Sequence, residues 1–193
     1  MSDTPVDLGP QARVVARLAH GVRDDQLCLP TPCPDYAVRE LLGHLVGLAA
    51  GLRAAGRKEN EGTNPGPGLP QLPPDWRALL PVALDELVDT WNDPAAWEGM
   101  TRAGGLDLPG AVAGLITADE LVVHGWDLAR ATGQEYVPDE AAVRAARDLL
   151  APTDGDGGDG PDGLFGPVVP VPDGAPLLDR VIGLSGRDPA WTA

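Results

Sequence analysis

Apolar residues return at intervals of three and four along most of the chain, and the runs are separated by segments dense in proline and glycine. From about Val6 to Val22, the positions Val14, Val15, Leu18, Ala19 and Val22 predict a first helix. The stretch CLPTPCPDY breaks it, and Asp35 stands where a second helix needs an N-cap. From Ala37 to about Ala55, eight residues from Ala37 and Val38 through Leu41, Leu42, Leu45, Leu48, Ala49 and Leu52 share one wide arc of a helical wheel. Beside that arc, Gly43, Gly47 and Gly51 form a ridge without side chains. It costs helix propensity of roughly 1 kcal/mol per glycine and predicts close approach by a neighbouring helix in preference to a ligand.

The segment KENEGTNPGPGLPQLPPDW predicts a long irregular loop, of the kind that often borders a binding site. A third helix follows from Trp76 to about Trp91 through Leu79, Leu80, Ala83, Leu84, Leu87 and Val88, where Pro81 is acceptable only near the first turn. The stretch RAGGLDLPG reads as loop and leads to a fourth helix, from Pro109 in its first turn to Ala131, capped by Gly133. A fifth pattern, Asp139 to Leu150, buries Ala142, Val143, Ala146, Leu149 and Leu150. The stretch PTDGDGGDGPDG reads as flexible linker. A calcium loop counted from Asp154 would place Phe165 where a bidentate Glu is required. A short helix at Pro176 to Leu184 ends the pattern. The expectation is an all-α fold: a helical bundle over residues 1–152, then a linker and a tail at 153–193 packing on it.

The fourth helix carries the chemistry. Glu120, His124 and Asp127 are spaced i, i+4 and i+7, within about 40° of one another on the wheel. Leu115, Val122, Trp126 and Ala129 fill the opposite side, so only Asp119 and Arg130 make an evident solvent stripe and the trio is expected to face the interior. A buried carboxylate without a partner costs several kcal/mol or stays protonated. A metal ion is one solution, with Glu120 and His124 converging on a cation and His44, at the edge of the second helix's apolar arc, as third ligand. A buried ion pair or hydrogen bond without metal is the other. Asp127 then serves either as an acceptor orienting His124 or as partner to a backbone group or an arginine. His20, the remaining histidine, reads as a surface residue.

Composition narrows the function classes. Fourteen basic residues stand against 29 acidic ones, for a formal net charge of -15, and such a field repels phosphate backbones and anionic lipid. Nucleic-acid and membrane partners are not expected. At 193 residues with 43% hydrophobic content, the chain can build one ordinary core. No apolar run reaches the roughly 18 residues of a membrane span, and no leader pattern opens the chain, so a cytoplasmic location is expected. Cys28 and Cys33, five apart in a proline-rich turn, read as reduced structural thiols.

The segments TPCPDYAVRELLGHLVG and ADELVVHGWDLARATG together resemble the DinB-like metal-binding superfamily. More closely, they resemble the amino-terminal domain of the mycothiol-dependent maleylpyruvate isomerases and their short actinobacterial relatives. The tail LFGPVVPVPDGAPLLDRVIGLSGRDPAW is similar to those of the short relatives. The resemblance implies a DinB-like four-helix bundle with additional short C-terminal helices and a divalent metal held by His44, Glu120 and His124. Zinc suits two nitrogens and one oxygen best, with nickel, iron or manganese as alternatives. It further implies a thiol transferase or isomerase in which a low-molecular-weight thiol such as mycothiol is activated at the metal and attacks a small electrophile. A metal-binding sensor or interaction protein without turnover, and a metal-dependent hydrolase, are the competing readings. The isomerases carry a separate carboxy-terminal domain that contributes an arginine, and this chain is too short for a full copy, so maleylpyruvate itself is not the expected substrate. Arg180 and Arg187 lie in the tail without an assigned part, and Tyr36 stands where many relatives have Trp. Dimerisation through a helix face is left open.

Overall fold

The computed structural model describes residues 5–59, 69–151 and 167–192. Four helices form the bundle: α1 (Gly9–His20), α2 (Val38–Gly56), α3 (Trp76–Trp91) and α5 (Gly110–Thr132), with the short α4 (Pro94–Trp97) between the last two. Helix α1 packs on α3 and α5, and α2 packs on the same two, which closes a four-membered ring. Its centre is a leucine-rich core in which Leu18, Leu41, Leu42, Leu45, Leu80, Leu84, Leu87, Leu121 and Leu128 are fully enclosed. Helix α6 (Glu140–Leu150) lies along α5, and α7 (Leu177–Leu184) packs on α6. Val181 of α7 joins Val122, Ala142 and Val143, while Ile182 reaches Val123 and Trp126 on α5. Among the described residues, no helix is long and apolar enough to cross a membrane.

The helices start and stop close to where the pattern puts them, for local reasons. Gly133 takes the left-handed conformation at φ 67° that ends α5, and the Asp139 carboxylate accepts from Ala142 N to begin α6. The start of α2 is different. Asp35 makes no cap; the N–H groups of Val38 and Arg39 instead donate to the carbonyls of Leu29 and Leu27 in the preceding loop, and these backbone bonds replace a side-chain acceptor. Pro81 lies in the second turn of α3, and Leu79 faces solvent. The RAGGLDLPG stretch is a two-stranded hairpin, β1 (Met100–Ala103) against β2 (Leu106–Pro109). Gly104 and Gly105 turn it at φ 58° and 85°, the pair of positive values that a tight hairpin turn of this hand needs. The linker and calcium-loop readings, and residues 60–68 of the long loop, lie outside the described residues.

The glycine ridge of α2 is not a helix-packing surface. A Cβ on Gly43 would stand 2.8 Å from the carbonyl oxygen of Gln71, so the backbone of the loop before α3 crosses there, while Gly47 and Gly51 have nothing within 4 Å among the described residues. The three glycines should therefore respond differently to substitution. Gly47→Ala and Gly51→Ala are each expected to stabilise the protein by about 0.5–1 kcal/mol through helix propensity, and Gly43→Ala to destabilise it. Urea unfolding midpoints of the three single variants check this; equal shifts at all three positions would refute the distinction.

A candidate metal centre between α2 and α5

Helix α2 presents His44 to α5, which supplies Glu120, His124 and Asp127 from one face. Both imidazoles reach the same carboxylate oxygen: Glu120 Oε2 lies 3.4 Å from His44 Nε2 and 3.1 Å from His124 Nε2. One donor atom from each of the three side chains lies within 4.8 Å of the others. The two rings stand edge to face, with centroids 4.7 Å apart, and the Tyr36 ring flanks His44 at 5.4 Å. His124 is buried, but the His44 and Glu120 side chains remain 26% and 23% exposed, so the cluster is closed behind and open on one side.

Behind His124 the network continues. Its Nδ1 is 2.9 Å from Oδ2 of the fully buried Asp127, and the same oxygen accepts from an Nη of Arg187 at 3.3 Å. With Nδ1–H donating to Asp127, the Nε2 of His124 points at the other two donors. Charge follows this geometry. Burial alone would push the His124 imidazole down, but its hydrogen bonds to Asp127 and Glu120 outweigh that and raise it to about 9. Burial pushes Glu120 the opposite way, and the bonds from His124 and His44 together with their charge hold its carboxyl well below the usual range.

The donor set fits a divalent cation. A tetrahedral ion with ligands at about 2.0–2.1 Å sets neighbouring donors about 3.3 Å apart. The two contacts to Glu120 bracket that spacing, and all three donor atoms lie within 4.8 Å of one another. Two neutral nitrogens, one carboxylate and one open side are the pattern of zinc sites that keep a coordination position for a ligand.

The sequence-predicted trio of Glu120, His124 and Asp127 does face inward together, and His44 meets it from α2. Asp127 is the acceptor that orients His124 and at the same time the partner of an arginine, so both roles foreseen for it coexist. His20 is exposed at the end of α1. Asp119 departs from expectation. It is 2% exposed and not on a solvent stripe, because α7 and the tail cover that side of α5. Burial, reinforced by the charge of Glu120, pushes its carboxyl up to about 8. Arg130, its supposed companion, is exposed and donates to the Trp191 carbonyl. Arg187 carries no local signal in the sequence, since it lies 60 residues from the carboxylate it meets. Cys28 and Cys33 are both free thiols. Burial raises Cys33 while Arg187 opposes the shift, which places that guanidinium near the CLPTPCPDY turn as well.

Residues 8–129 match the Mycothiol maleylpyruvate isomerase N-terminal domain family, a span that holds all three donors and Asp127. The chain belongs to this family. Two curated relatives of Mycobacterium tuberculosis, the uncharacterized protein MT0763 of strain CDC 1551 / Oshkosh and the uncharacterized protein Rv0738 of strain ATCC 25618 / H37Rv, are each 33% identical over 177 residues, covering 89% of this chain and 91% of theirs. Among solved structures, the mycothiol-dependent maleylpyruvate isomerase superposes with a TM-score of 0.56 at 15% identity, over 72% of this chain and 65% of that one. A mutant of the same enzyme superposes at 0.57 with 14% identity. At these identities the likeness establishes the fold, a DinB-like helical bundle. The chain spans somewhat less than two thirds of the solved enzyme's length.

Proposed function

We propose that His44, Glu120 and His124 hold a divalent metal, zinc first, and that the protein is a thiol transferase or isomerase joining a low-molecular-weight thiol such as mycothiol to a small electrophile. The observation that carries the reading is the convergence of three donors from two helices, walled on the Asp127 side and open on the other. Family membership and the superposed isomerase support the thiol as cosubstrate. When bound, a divalent cation supplies Lewis-acid activation and lowers the pKa of a thiol at the open position. The chain's own residues do the rest. Asp127 fixes the His124 ring and its tautomer, Glu120 offers one oxygen to both imidazoles, and α2 brings His44 in from a separate element so that the packing of the helices sets the bite of the site. The Tyr36 ring lies tilted beside His44 on one flank of the site.

The test is elemental analysis of untagged protein, followed by incubation of the zinc-loaded protein with mycothiol and a panel of small electrophiles. About one metal per chain and thiol-dependent adduct or isomer formation are expected. Metal without any thiol-dependent product would overturn the transferase reading, and turnover without thiol would replace it by hydrolysis.

A further inference from the structure

Asp127 is a fully buried carboxylate whose Oδ2 meets two donors, and the second comes from far along the chain. Arg187 follows α7 directly. That helix ends in a paired cap: Gly186 turns at φ 81° and bonds back to Gly183, and the Arg187 N–H reaches the Ile182 carbonyl at 3.0 Å. One guanidinium nitrogen donates to the Ser185 carbonyl at 2.8 Å, and a second donates to Asp127. Ile182 and Val181, both fully enclosed, pin α7 to α5 and α6, so the guanidinium is delivered by a docked element and not by a loose tail.

The charge balance explains what that delivery is for. A histidine binds metal through a neutral ring. Once His124 gives its Nε2 to a cation it still donates Nδ1–H to Asp127, but it no longer neutralises the carboxylate locally. Among the described residues, Arg187 is the one other cationic side chain in contact with Asp127. A buried carboxylate that loses one of its two anchors is free to rotate, and that rotation frees the ring it was holding.

We infer that Arg187 is a positioning residue for the metal centre: it holds Asp127 behind His124, so the docked C-terminal segment sets the metal affinity of a site whose ligands all lie in α2 and α5. This rests on the metal reading above. The contact joins residue 187 to a network that otherwise ends at residue 127, outside the span matched by the family.

Zinc affinity by chelator competition, and the visible spectrum of the cobalt-loaded protein, should be measured on the full chain and on Arg187→Gln, Arg187→Lys, Asp127→Asn and the Arg187→Gln/Asp127→Asn double variant. Losing an outer partner of a metal ligand commonly weakens binding about 10–100-fold. Arg187→Gln is expected to weaken zinc binding about tenfold and shift the cobalt spectrum, with partial recovery in Arg187→Lys. The double variant should bind no more weakly than Asp127→Asn alone, because the arginine acts through the carboxylate. If Arg187→Gln only lowers the melting temperature of the metal-free protein and leaves zinc affinity unchanged, or if the two losses multiply in the double variant, the inference is overturned. Should Arg187→Gln not fold, Gly186→Ala moves the guanidinium by straining its positive φ, and unchanged zinc affinity there is equally fatal. Zinc held by the parent and by Arg187→Gln alike removes this inference alone; no zinc in the parent removes the metal reading with it.

Discussion

Replacing His124 with alanine is expected to strip the protein of metal, from about one ion per chain to below a tenth by elemental analysis, with zinc affinity reduced by well over the 10–100-fold typical of losing an outer partner. Two donors then remain, His44 and Glu120, and the residue that tied the cluster to Asp127 is gone. A protein that kept its metal in this variant would rule out the three-donor site. The same residue sets the pH dependence. In the metal-free protein the His124 ring is raised from 6.5 to about 9, so below pH 9 a cation must displace a proton from it. Zinc affinity should therefore climb by roughly tenfold per pH unit between pH 6.5 and 9, then level off. For the metal-free fold the sign is opposite. A raised histidine contributes stability that is fully present below pH 6.5 and lost as pH rises through about 9. His124→Ala should flatten that decline. Chelator competition and urea unfolding across this range check both slopes, and a pH-independent affinity would mean that the ring is already neutral before metal arrives.

Gln11→Leu is expected to destabilise the protein by about 2–4 kcal/mol, the largest loss anticipated for a near-isosteric change anywhere outside the metal site. Gln11 is fully buried in α1, and its amide joins three elements. Nε2 donates to the Leu121 carbonyl of α5 and to the Tyr136 hydroxyl, each at 3.0 Å, and Oε1 accepts from the N–H of Asp139, the N-cap of α6, at 2.9 Å. Tyr136 passes the link on, its hydroxyl donating to the Val122 carbonyl at 2.6 Å. Leucine fills the volume but removes all three bonds at once, leaving the buried Leu121 carbonyl without this donor and the half-buried Asp139 N–H without its acceptor. For a chain of this size the melting temperature should fall by roughly 5–15 °C. A loss under about 1 kcal/mol would show that α6 is held by its apolar face alone. Tyr136→Phe, which removes one hydroxyl, should cost about 1 kcal/mol.

The bundle was legible because its signal is local and repeated. The leucines of α2, α3 and α5 recur at helical spacing, and α3 and α5 are followed by Pro94 and Gly133, whose backbone preferences need no tertiary context. The hairpin at Met100–Pro109 was also present in the sequence, as Gly104-Gly105 between alternating residues, but four-residue strands are too short for periodicity to reveal. Asp35 misled because a side-chain cap is only one way to satisfy a helix start, and here Leu27 and Leu29 supply backbone acceptors instead. The glycine ridge misled for a related reason. Absence of side chains permits approach without requiring it, and among the described residues only the loop at Gln71 took the opening.

For the site, the division is between what one helix can state and what needs two. The spacing of Glu120, His124 and Asp127 on α5 is a property of the helix itself, so their common face followed from the sequence by itself, as did the polar trio's need for a buried partner. That His44 meets Glu120 and His124, that α7 turns Asp119 from a surface residue into a buried acid, and that Arg187 closes the network behind His124 were decided by the tertiary structure. Those contacts join residues 60 or more positions apart, and no helical period extends across the intervening turns; the packing of α2, α5 and α7 sets them.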